Sequence, residues 1–594
     1  MRQLFALVPY MTRRPLLLWG GLACLALTAV FTSLIPKAVG GAVRVVEEAA
    51  SVRGPGGAIV IEWPRLWSAI GLLLLFSTLA GLFRFGMRKM IIDVSRLAER
   101  DFRDGLFRHL LSLSPSFYDR TMTGDVVTRL SSDIDALRTV MGPGLMYLAQ
   151  TVITVPLILV LMMLIDVPLS LVALAPLVIV PFLVLAFSNE LHRRSREVQD
   201  QMSTLSNMVQ ETLAGQRVVK VFNQEAAEEA KFGEINEEYV RRGLRFARLF
   251  AGFFPLLHGV FAAGLMITVW VGGVRLMSGA IDFGDLSSVL LWIFELYWPL
   301  ISLGWVMSLF QRGAASMERI REFQREVSDV ADREPAPTPL PARLRGEIEF
   351  RQLTFTYPGA STPALTDITL HIPAGRTLGI VGLTGAGKST LAALVARLYR
   401  VPPGTLFIDG VDINALPLAW LRRHIGFVAQ ETFLFSESIE DNIRFGRPEA
   451  PRSEVEIAAE LSQLDDQIAG FPRQYETMLG ERGINLSGGQ RQRAAIARAT
   501  LLSPPILILD DALSSVDTDT EDRILRGLRG VMRERTTLII AHRISTVMHA
   551  DEIIVLDGGR VAERGTHAQL ILREGLYAQL HEKQLLEAQL EAVD

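Results

Sequence analysis

Long apolar runs dominate the first half of the chain. Six of them are about 20 residues long, which is the length that an α-helix needs to cross the hydrocarbon core of a membrane. They lie at 16–40, 67–91, 140–163, 169–188, 250–273 and 286–307, and no comparable run follows. The pattern therefore predicts six membrane-spanning helices.

The segments between these runs differ in length and charge. Residues 166–168 barely separate the third run from the fourth, whereas residues 92–138 and 190–248 form long, arginine-rich segments. The positive-inside rule places such segments in the cytoplasm, together with both ends of the chain. Apolar residues recur in them at helical spacing, which predicts helices that continue past the bilayer. One candidate for a reversal is 117–125, which contains a Thr-Gly-Asp turn signal, and a further cytoplasmic loop is expected near 210–215.

The second half of the chain has a different periodicity. Alternating prolines in DREPAPTPLPA, residues 332–342, cannot propagate a helix and favour an extended spacer. Short apolar strands then alternate with helical stretches; the predicted strands are EIEFRQLTFTY, TLGIVG, LFIDG, ILILDD and TTLIIAH. This alternation predicts a largely parallel sheet with some antiparallel edge. The last segment, 576–594, has the pattern of an amphipathic helix, which either pairs with a partner or is solvated.

Composition supports a membrane location and excludes some functions. The 594 residues are 49% hydrophobic and 21% charged, with a mean hydropathy of +0.29, which is more apolar than a soluble globule allows. A net charge of −4 gives no whole-protein field strong enough to suggest nucleic acid, although local charge clusters can still matter; no nucleic-acid partner is expected. The single cysteine, Cys24, excludes an internal disulfide.

A phosphate-binding loop is the first chemical motif. GLTGAGKST, residues 382–390, follows the predicted strand TLGIVG and precedes a helical stretch, as this motif requires. Glycines let the backbone NH groups turn towards phosphate oxygens, the lysine reaches the terminal phosphates, and the serine hydroxyl binds Mg²⁺. The predicted nucleotide-binding residues of the loop are Gly382, Gly385, Gly387, Lys388, Ser389 and Thr390.

Two acidic residues end the apolar run ILILDD at 506–511. A strand buried on both faces delivers such residues to the end of a parallel sheet. Asp510 is predicted to bind Mg²⁺ through water, because this cation prefers carboxylate and water oxygens. Asp511 stands where a carboxylate would polarise the attacking water; the alternative for Asp511 is to cap the following helix.

These motifs define the predicted fold class. The chain is expected to be a multi-domain membrane protein in which an all-α six-helix transmembrane domain is fused to an α/β P-loop nucleotide-binding domain. The predicted bounds are 1–325 for the transmembrane domain, 326–345 for a linker and 346–594 for the nucleotide-binding domain.

LSGGQRQRAAIARA, residues 486–499, lies shortly before ILILDD, and this order resembles the nucleotide-binding domain of the ATP-binding cassette family. Six spans ahead of one such domain resemble a half-transporter of the exporter type, with the type IV exporter fold. Matching positions imply residue roles. They are Tyr357 for stacking on adenine, Gln430 for contacting both Mg²⁺ and the membrane domain, GERG at 480–483 for contacting the coupling helices, 515–517 for the loop across the dimer, and His542 for sensing the γ-phosphate.

The resemblance also implies a dimer. Ser487, Gly489 and Gln490 of the LSGGQ signature close in this family onto ATP held by the partner subunit, so one chain has only half of each site. The implied cofactors are ATP and Mg²⁺, and two chains give twelve spans.

One position departs from the family pattern. Strongly hydrolytic members resemble LDE where this chain has LDD, and the carboxylate of Asp511 is therefore set back by roughly 1.5 Å; displacements of about 1 Å can slow catalysis on the order of a hundredfold. ATP should be bound but hydrolysed slowly. Heterodimeric bacterial multidrug exporters commonly have such a half, so a heterodimer is favoured, with a homodimer of two slow sites as the alternative.

The resemblance implies an ATP-driven exporter that moves amphiphilic compounds, drugs or lipids, out of the cytoplasm or the inner leaflet by alternating access. It implies a multi-pass protein of the cell membrane, in bacteria the inner membrane, with a cytoplasmic nucleotide-binding domain. The alternatives are a lipid or lipid-linked flippase, a nucleotide-gated channel or regulatory half with little transport, an importer, and a soluble cassette ATPase, against which the six spans argue.

Glu295 is the most conspicuous polar residue of the predicted spans. It lies in LLWIFELYWPL, where a charge is costly unless it faces protein or water. It is either a cation-attracting group ringed by Trp292, Tyr297 and Trp298, or a partner in an interhelical hydrogen bond or gate.

Overall fold

The structure, a computed structural model, describes residues 2–51, 62–332, 344–516 and 518–591. The chain forms two compact units. One consists of Met1–Leu111 and Thr123–Glu326, and the other of Ser112–Met122 and Val327–Asp594. Most of the predicted linker, and Asp517 of the predicted cross-dimer loop, lie outside the described residues.

The first unit is helical throughout. Its helices, in chain order and with the short helix α4 of the second unit included, are α1 Val8–Thr12, α2 Pro15–Ser51, α3 Trp63–Leu111, α4 Pro115–Arg120, α5 Thr123–Thr128, α6 Ile134–Thr139, α7 Leu145–Ile165, α8 Val167–Ala214, α9 Gln216–Val221, α10 Glu225–Met277 and α11 Phe283–Arg325. A 3₁₀ helix, Arg2–Leu7, precedes them, and two π-helical turns, Arg129–Asp133 and Val140–Gly144, flank α6. Among the described residues, six helical stretches are long and apolar enough to cross a membrane, which confirms the six predicted spans.

Helices α8 and α10 continue far beyond the membrane. They contain 48 and 53 residues, which corresponds to about 70–80 Å at 1.5 Å per residue, against a hydrocarbon core of about 30 Å. They run side by side, and the side-chain amide of Gln201 on α8 donates to the carbonyl of Ile235 on α10 over 3.0 Å. The reversal between them occupies 215–224, a few residues later than the expected cytoplasmic loop, since α8 persists through Ala214 and stops at Gly215.

Two buried carboxylates hold the extended helices together. Asp133 is 3% exposed. It accepts a hydrogen bond from the Ser316 hydroxyl over 2.8 Å and pairs with the Arg319 guanidinium, and both of these partners lie on α11. Glu99 of α3 is 6% exposed; it accepts from Arg103 of the same helix over 2.7 Å and pairs with Arg138 of α6 over 3.8 Å. A buried carboxylate is tolerated only when it is paired in this way, so each anchors the helix that supplies its partner.

Helices α2 and α11 pack against each other along a seam. At one level of this seam their backbones touch, with no side chain between them. A β-carbon on Gly40 would collide with the carbonyl oxygen of Gly284, and one on Gly284 would collide with that of Gly40. Further along the same seam the indole NH of Trp292, which is 1% exposed, donates to the carbonyl of Ser33 over 2.8 Å. The two backbones are therefore in direct contact.

The second unit contains two sheets. The strands are β1 Ile348–Phe355, β2 Leu365–Ile372, β3 Thr377–Gly382, β4 Leu406–Ile408, β5 Val411–Asp412, β6 Ile425–Val428, β7 Ile506–Asp510, β8 Thr536–Ile540, β9 Glu552–Asp557 and β10 Arg560–Gly565. A six-stranded sheet has the order β10-β9-β3-β8-β7-β6, parallel except for β10. A separate antiparallel sheet has the order β2-β1-β4-β5. The predicted parallel sheet with an antiparallel edge is confirmed, and all five residues of β7 are buried.

Helices cover these sheets. They are α12 Lys388–Val395, α13 Leu418–Arg423, α14 Ile439–Arg444, α15 Arg452–Leu461, α16 Asp465–Ala469, α17 Gly488–Leu501, α18 Thr518–Met532, α19 Ile544–Val547, α20 His567–Leu572 and α21 Leu576–Glu591, with 3₁₀ turns at Ile413–Ala415, Gln474–Glu476 and Glu481–Gly483. Helices α14–α17 share their own apolar core, which includes Leu434, Ile443 and Ile468. The fold class predicted from the sequence is thus the fold observed.

Candidate functional site

In the loop between β3 and α12, two glycines let the backbone pass very close to neighbouring carbonyl oxygens. At Gly382, φ is +153° and a β-carbon would collide with the carbonyl oxygen of Leu556; at Gly387, φ is +95° and a β-carbon would lie 2.7 Å from the carbonyl oxygen of Ala364. Only glycine fits at such positions. The loop therefore curls tightly at the start of α12, and its geometry suits the phosphates of a nucleotide.

Lys388 is held inside this loop. Its ammonium donates to the carbonyls of Gly382 at 2.8 Å and Leu383 at 2.9 Å, and the residue is only 6% exposed. Burial lowers the pKa of Lys388, against the opposite pull of Asp511 and Asp510. Among the described residues no carboxylate lies at hydrogen-bonding distance from this ammonium, so the lysine gives the loop a positive charge that a phosphate can neutralise.

Ser389 and Asp510 form the hydroxyl–carboxylate pair predicted for Mg²⁺. The Ser389 hydroxyl donates to Oδ1 of Asp510 over 3.0 Å, and Asp510 is 4% exposed at the end of β7. Burial raises the pKa of Asp510, while the Ser389 hydrogen bond lowers it. Adjacent hydroxyl and carboxylate oxygens are the donors that Mg²⁺ prefers, so the residues present fit this ion.

Asp511 adopts a backbone conformation that is uncommon outside glycine. Its φ is +50°, in the left-handed region that aspartate tolerates better than most residues. Its amide donates to the carbonyl of Ile540 over 2.9 Å, and its carbonyl accepts from the side chain of Gln492 over 3.3 Å. Strand β8 and helix α17 therefore fix the backbone that carries the Asp511 carboxylate.

Gln492 is a residue that sequence reasoning missed. It is 3% exposed; its amide donates to the Ser514 hydroxyl over 2.9 Å and accepts from the backbone NH of Ser515 over 2.9 Å. A signal was available, because Gln492 is polar on the face of α17 whose other buried members, Ala495 and Ile496, are apolar. A buried polar residue at such a position needs hydrogen-bond partners.

The LSGGQ signature forms the start of α17. Ser487 caps the helix: its hydroxyl accepts from the NH of Gln490 over 3.2 Å, and the Gln490 side chain accepts from the NH of Ser487 over 2.8 Å. A β-carbon at Gly489 would lie 2.9 Å from the carbonyl oxygen of Ser515. The signature is therefore a preformed helix N-terminus packed against the segment that follows Asp511.

Tyr357 is placed by an aromatic cluster. Its hydroxyl lies 3.0 Å from the hydroxyl of Thr390, and its ring meets those of Phe355 and Tyr399 edge to face, each at 5.0 Å. The hydroxyl of Tyr399 donates to Asp119 of α4 over 2.8 Å. Thr390, predicted as a phosphate ligand, is thus bonded to the predicted adenine-stacking residue.

His542 and Gln430 complete the predicted set. His542 is exposed just after β8, interacts electrostatically with Asp510 and lines a cavity of about 260 Å³ together with Asp511. Gln430 is exposed beyond β6, whose residue Val428 pairs with Leu509 of β7. The ends of parallel strands thus bring most of the predicted residues to one edge of the sheet, as expected for such folds, while the signature residues lie on α17.

The aromatic residues predicted to surround Glu295 differ in burial. Trp292 is buried against α2, whereas Trp298 is 63% exposed. Glu295 itself is half-buried and interacts electrostatically with Arg84 of α3, which donates to the Thr32 hydroxyl over 3.4 Å. The carboxylate thus belongs to a polar group on α2, α3 and α11.

The chain is similar to known proteins over both of its units. Residues 18–300 match the family described as ABC transporter transmembrane region, and residues 365–514 match ABC transporter. The chain is 33% identical to multidrug resistance-like ATP-binding protein MdlA of Escherichia coli (strain K12) over 96% of its length and 95% of the relative. It is 35% identical to the ATP-dependent lipid A-core flippase of Pseudomonas aeruginosa over 88% of its length and 87% of the relative. A solved bacterial Atm1-family ABC exporter with ATP bound superposes with a TM-score of 0.78 at 30% identity, covering 96% of this chain and 99% of that one.

Proposed function

We propose that this chain, which belongs to the ABC transporter family and couples ATP hydrolysis to export across a membrane, is the weakly hydrolytic half of a heterodimeric exporter of amphiphilic compounds. One observation carries the proposal. The loop lysine Lys388, the Ser389–Asp510 pair and Asp511 converge at one sheet edge, in a chain whose described residues form six helices long and apolar enough to cross a membrane.

The proposed nucleotide is ATP, with Mg²⁺ as its metal. Backbone NH groups of 383–389 hold the phosphates, Lys388 neutralises the terminal ones, and Ser389, Asp510 and Gln430 hold the metal. Bound Mg²⁺ supplies positive charge to the oxygens of the transferred phosphoryl group. Tyr357 stacks on the adenine, and Thr390 steadies the tyrosine through the 3.0 Å contact between their hydroxyls.

Asp511 orients the attacking water, and His542 contacts the γ-phosphate. Phosphoryl transfer depends mainly on positioning and electrostatics, so a carboxylate set back by roughly 1.5 Å leaves binding intact and slows turnover. The backbone of Asp511 cannot advance to compensate, because its NH and its carbonyl are both bonded, to Ile540 and to Gln492. This constraint supports a slow site.

A dimer completes each site. Ser487, Gly489 and Gln490 offer the amide-rich start of α17 to the nucleotide of the partner subunit. We favour a partner that carries a glutamate where this chain has Asp511. The nucleotide site of that partner, completed by the LSGGQ signature of this chain, then hydrolyses ATP quickly. A homodimer is the alternative.

The proposed cargo is an amphiphilic drug-like molecule. The identity to the multidrug resistance-like protein MdlA supports drugs, whereas the identity to the lipid A-core flippase supports a lipid as the second candidate. Both cargoes enter from the cytoplasm or the inner leaflet. The nucleotide-binding domain and both chain ends are then cytoplasmic, in bacteria beneath the inner membrane, consistent with the arginine-rich segments between the spans.

Reconstitution tests this function. The tagged chain is purified from its native host with any partner that stays bound and is placed in vesicles that contain either amphiphilic dyes or labelled lipids. ATP-dependent movement of dyes, lost in Lys388→Ala, is the expected result; movement of lipids alone identifies the flippase. ATP turnover without movement of either class of cargo contradicts export. Copurification of a single polypeptide that hydrolyses ATP briskly contradicts the heterodimer.

A further inference from the structure

The C-terminal helix α21 is docked onto the nucleotide-binding unit. Tyr577, in its first turn, is fully buried, and its hydroxyl lies 2.8 Å from Nδ1 of His567 on α20. The NH of Tyr577 donates to the Glu563 carboxylate of β10 over 3.3 Å. The docked helix thus has a fixed position relative to the sheet, which the solvated alternative for this segment does not provide.

Two turns further along, α21 contacts the segment that carries His542. The side-chain amide of Gln584 donates to the carbonyl of His542 over 2.6 Å, and its carbonyl accepts from the NH of Ile544 over 2.9 Å. A primary amide has both the donor and the acceptor that this pair of contacts requires. Gln584 therefore spans the backbone on both sides of Arg543.

The opposite side of the same segment is also held. Glu521 of α18 is 3% exposed; its carboxylate accepts from Arg543 over 3.0 Å and from the hydroxyl of Thr546. The segment 542–546 is thus held through its side chains by Glu521 of α18 and through its backbone by Gln584 of α21. The side chain of His542 is exposed beside Asp510 and Asp511.

We propose that Gln584 is a positioning residue for His542: the C-terminal helix fixes the backbone from which this histidine reaches the γ-phosphate. The inference rests on the proposed function, since it takes the role of His542 from there. A shift of about 1 Å in a catalytic group is enough to slow phosphoryl transfer, so a residue outside the nucleotide site acts on turnover through the backbone that it holds.

Amide hydrogen exchange in the full-length protein tests the contact itself. Gln584→Ala removes both hydrogen bonds, Gln584→Glu keeps the acceptor for the NH of Ile544, and Gln579→Ala is the matched control on an exposed position of the same helix. We expect faster exchange across 541–546 in Gln584→Ala, a smaller increase in Gln584→Glu, and no change in Gln579→Ala. Unchanged exchange in Gln584→Ala overturns the proposed contact.

Steady-state hydrolysis tests the positioning role, measured in an Asp511→Glu background so that turnover is large enough and with the hydrolytic site of any partner inactivated so that only this site is read. We expect Gln584→Ala to lower kcat on the order of tenfold with an unchanged KM for ATP, and Gln579→Ala to change neither. If His542→Ala slows turnover and Gln584→Ala does not, the positioning role is wrong. If His542→Ala leaves turnover unchanged, the proposed role of the histidine fails, and the positioning role fails with it. Should Gln584→Ala not fold, the kcat of Gln584→Glu decides.

Discussion

Tyr399 and Asp119 are joined by a 2.8 Å hydrogen bond in which the phenol donates to the carboxylate. Asp119 lies on α4, in the reversal between the second and third spans, and Tyr399 lies beyond α12 with its ring against that of Tyr357. Burial and the neighbouring Asp119 raise the pKa of Tyr399, so the phenol keeps its proton at neutral pH. Tyr357, the residue proposed to stack on adenine, is thus linked to the chain reversal through two contacts: its ring packs against that of Tyr399, and Tyr399 is hydrogen-bonded to Asp119.

Tyr399→Phe should uncouple transport from hydrolysis. The variant keeps the ring packing but loses a hydrogen bond to a charged group, worth about 1.5–3 kcal/mol. We expect nucleotide affinity within about twofold of the wild type and a several-fold lower ratio of cargo moved to ATP hydrolysed. Tyr475→Phe, a buried tyrosine of the α14–α17 core, is the control. An unchanged transport ratio would contradict a role for this contact in coupling.

Asp511→Glu should raise ATP hydrolysis at the site of this chain. The added methylene advances the carboxylate towards the attacking water. With the corresponding glutamate of the partner replaced by glutamine, so that only this site turns over, we expect a gain on the order of tenfold or more in kcat with nucleotide affinity preserved. Asp519→Glu makes the same change at an exposed position of α18 and should leave hydrolysis unaltered. A purified complex in which Asp511→Glu binds ATP normally but gains no activity argues against the short-carboxylate explanation.

Asp510→Asn should stabilise the nucleotide-free protein while abolishing Mg²⁺-dependent nucleotide binding. Burial raises the pKa of Asp510 in the folded state above its unfolded value, so its favourable contribution is complete at acid pH and is lost as pH rises through the folded pKa. Asparagine stays neutral. We therefore expect the variant to melt a few degrees higher at neutral pH, with the difference vanishing in acid. A lower melting temperature at neutral pH would contradict this sign.

Glu295→Gln should weaken the export of cationic cargo more than that of neutral cargo. A carboxylate within the spans is costly unless it serves an interaction, and the half-buried Glu295 is close enough to Arg84 to interact with it electrostatically. We expect a several-fold loss of transport for a cationic dye, a small change for a neutral dye of similar size, and unchanged basal ATP hydrolysis. Equal losses for both dyes indicate a structural hydrogen bond instead.

Much of the fold was predictable, because it depends on local patterns. Span length, the apolar run of β7 and the glycine spacing before Lys388 each determine an element within a few residues of chain. The reversal after α8 lies at 215–224, beyond the cytoplasmic loop expected near 210–215, because α8 persists through Ala214 and the short helix α9 follows it.

The residues that the sequence did not reveal depend on distant partners. Gln492 and Gln584 act on segments that lie 19 or more residues away in the chain, and the buried Asp133 is paired with Arg319, 186 residues distant. An amide or a carboxylate at such a position has no local pattern that names its partner. The nucleotide site was predictable to the extent that its residues belong to contiguous motifs; the parts that hold these motifs in place were not.

The backbone contact between Gly40 and Gly284 has a mechanical consequence for α2 and α11. With no side chain between them, the two helices cannot move closer together at that level. A single added methyl group on either glycine would force the two backbones apart. Their approach therefore has a fixed lower limit, whereas their separation costs the hydrogen bond between the Trp292 indole and the Ser33 carbonyl.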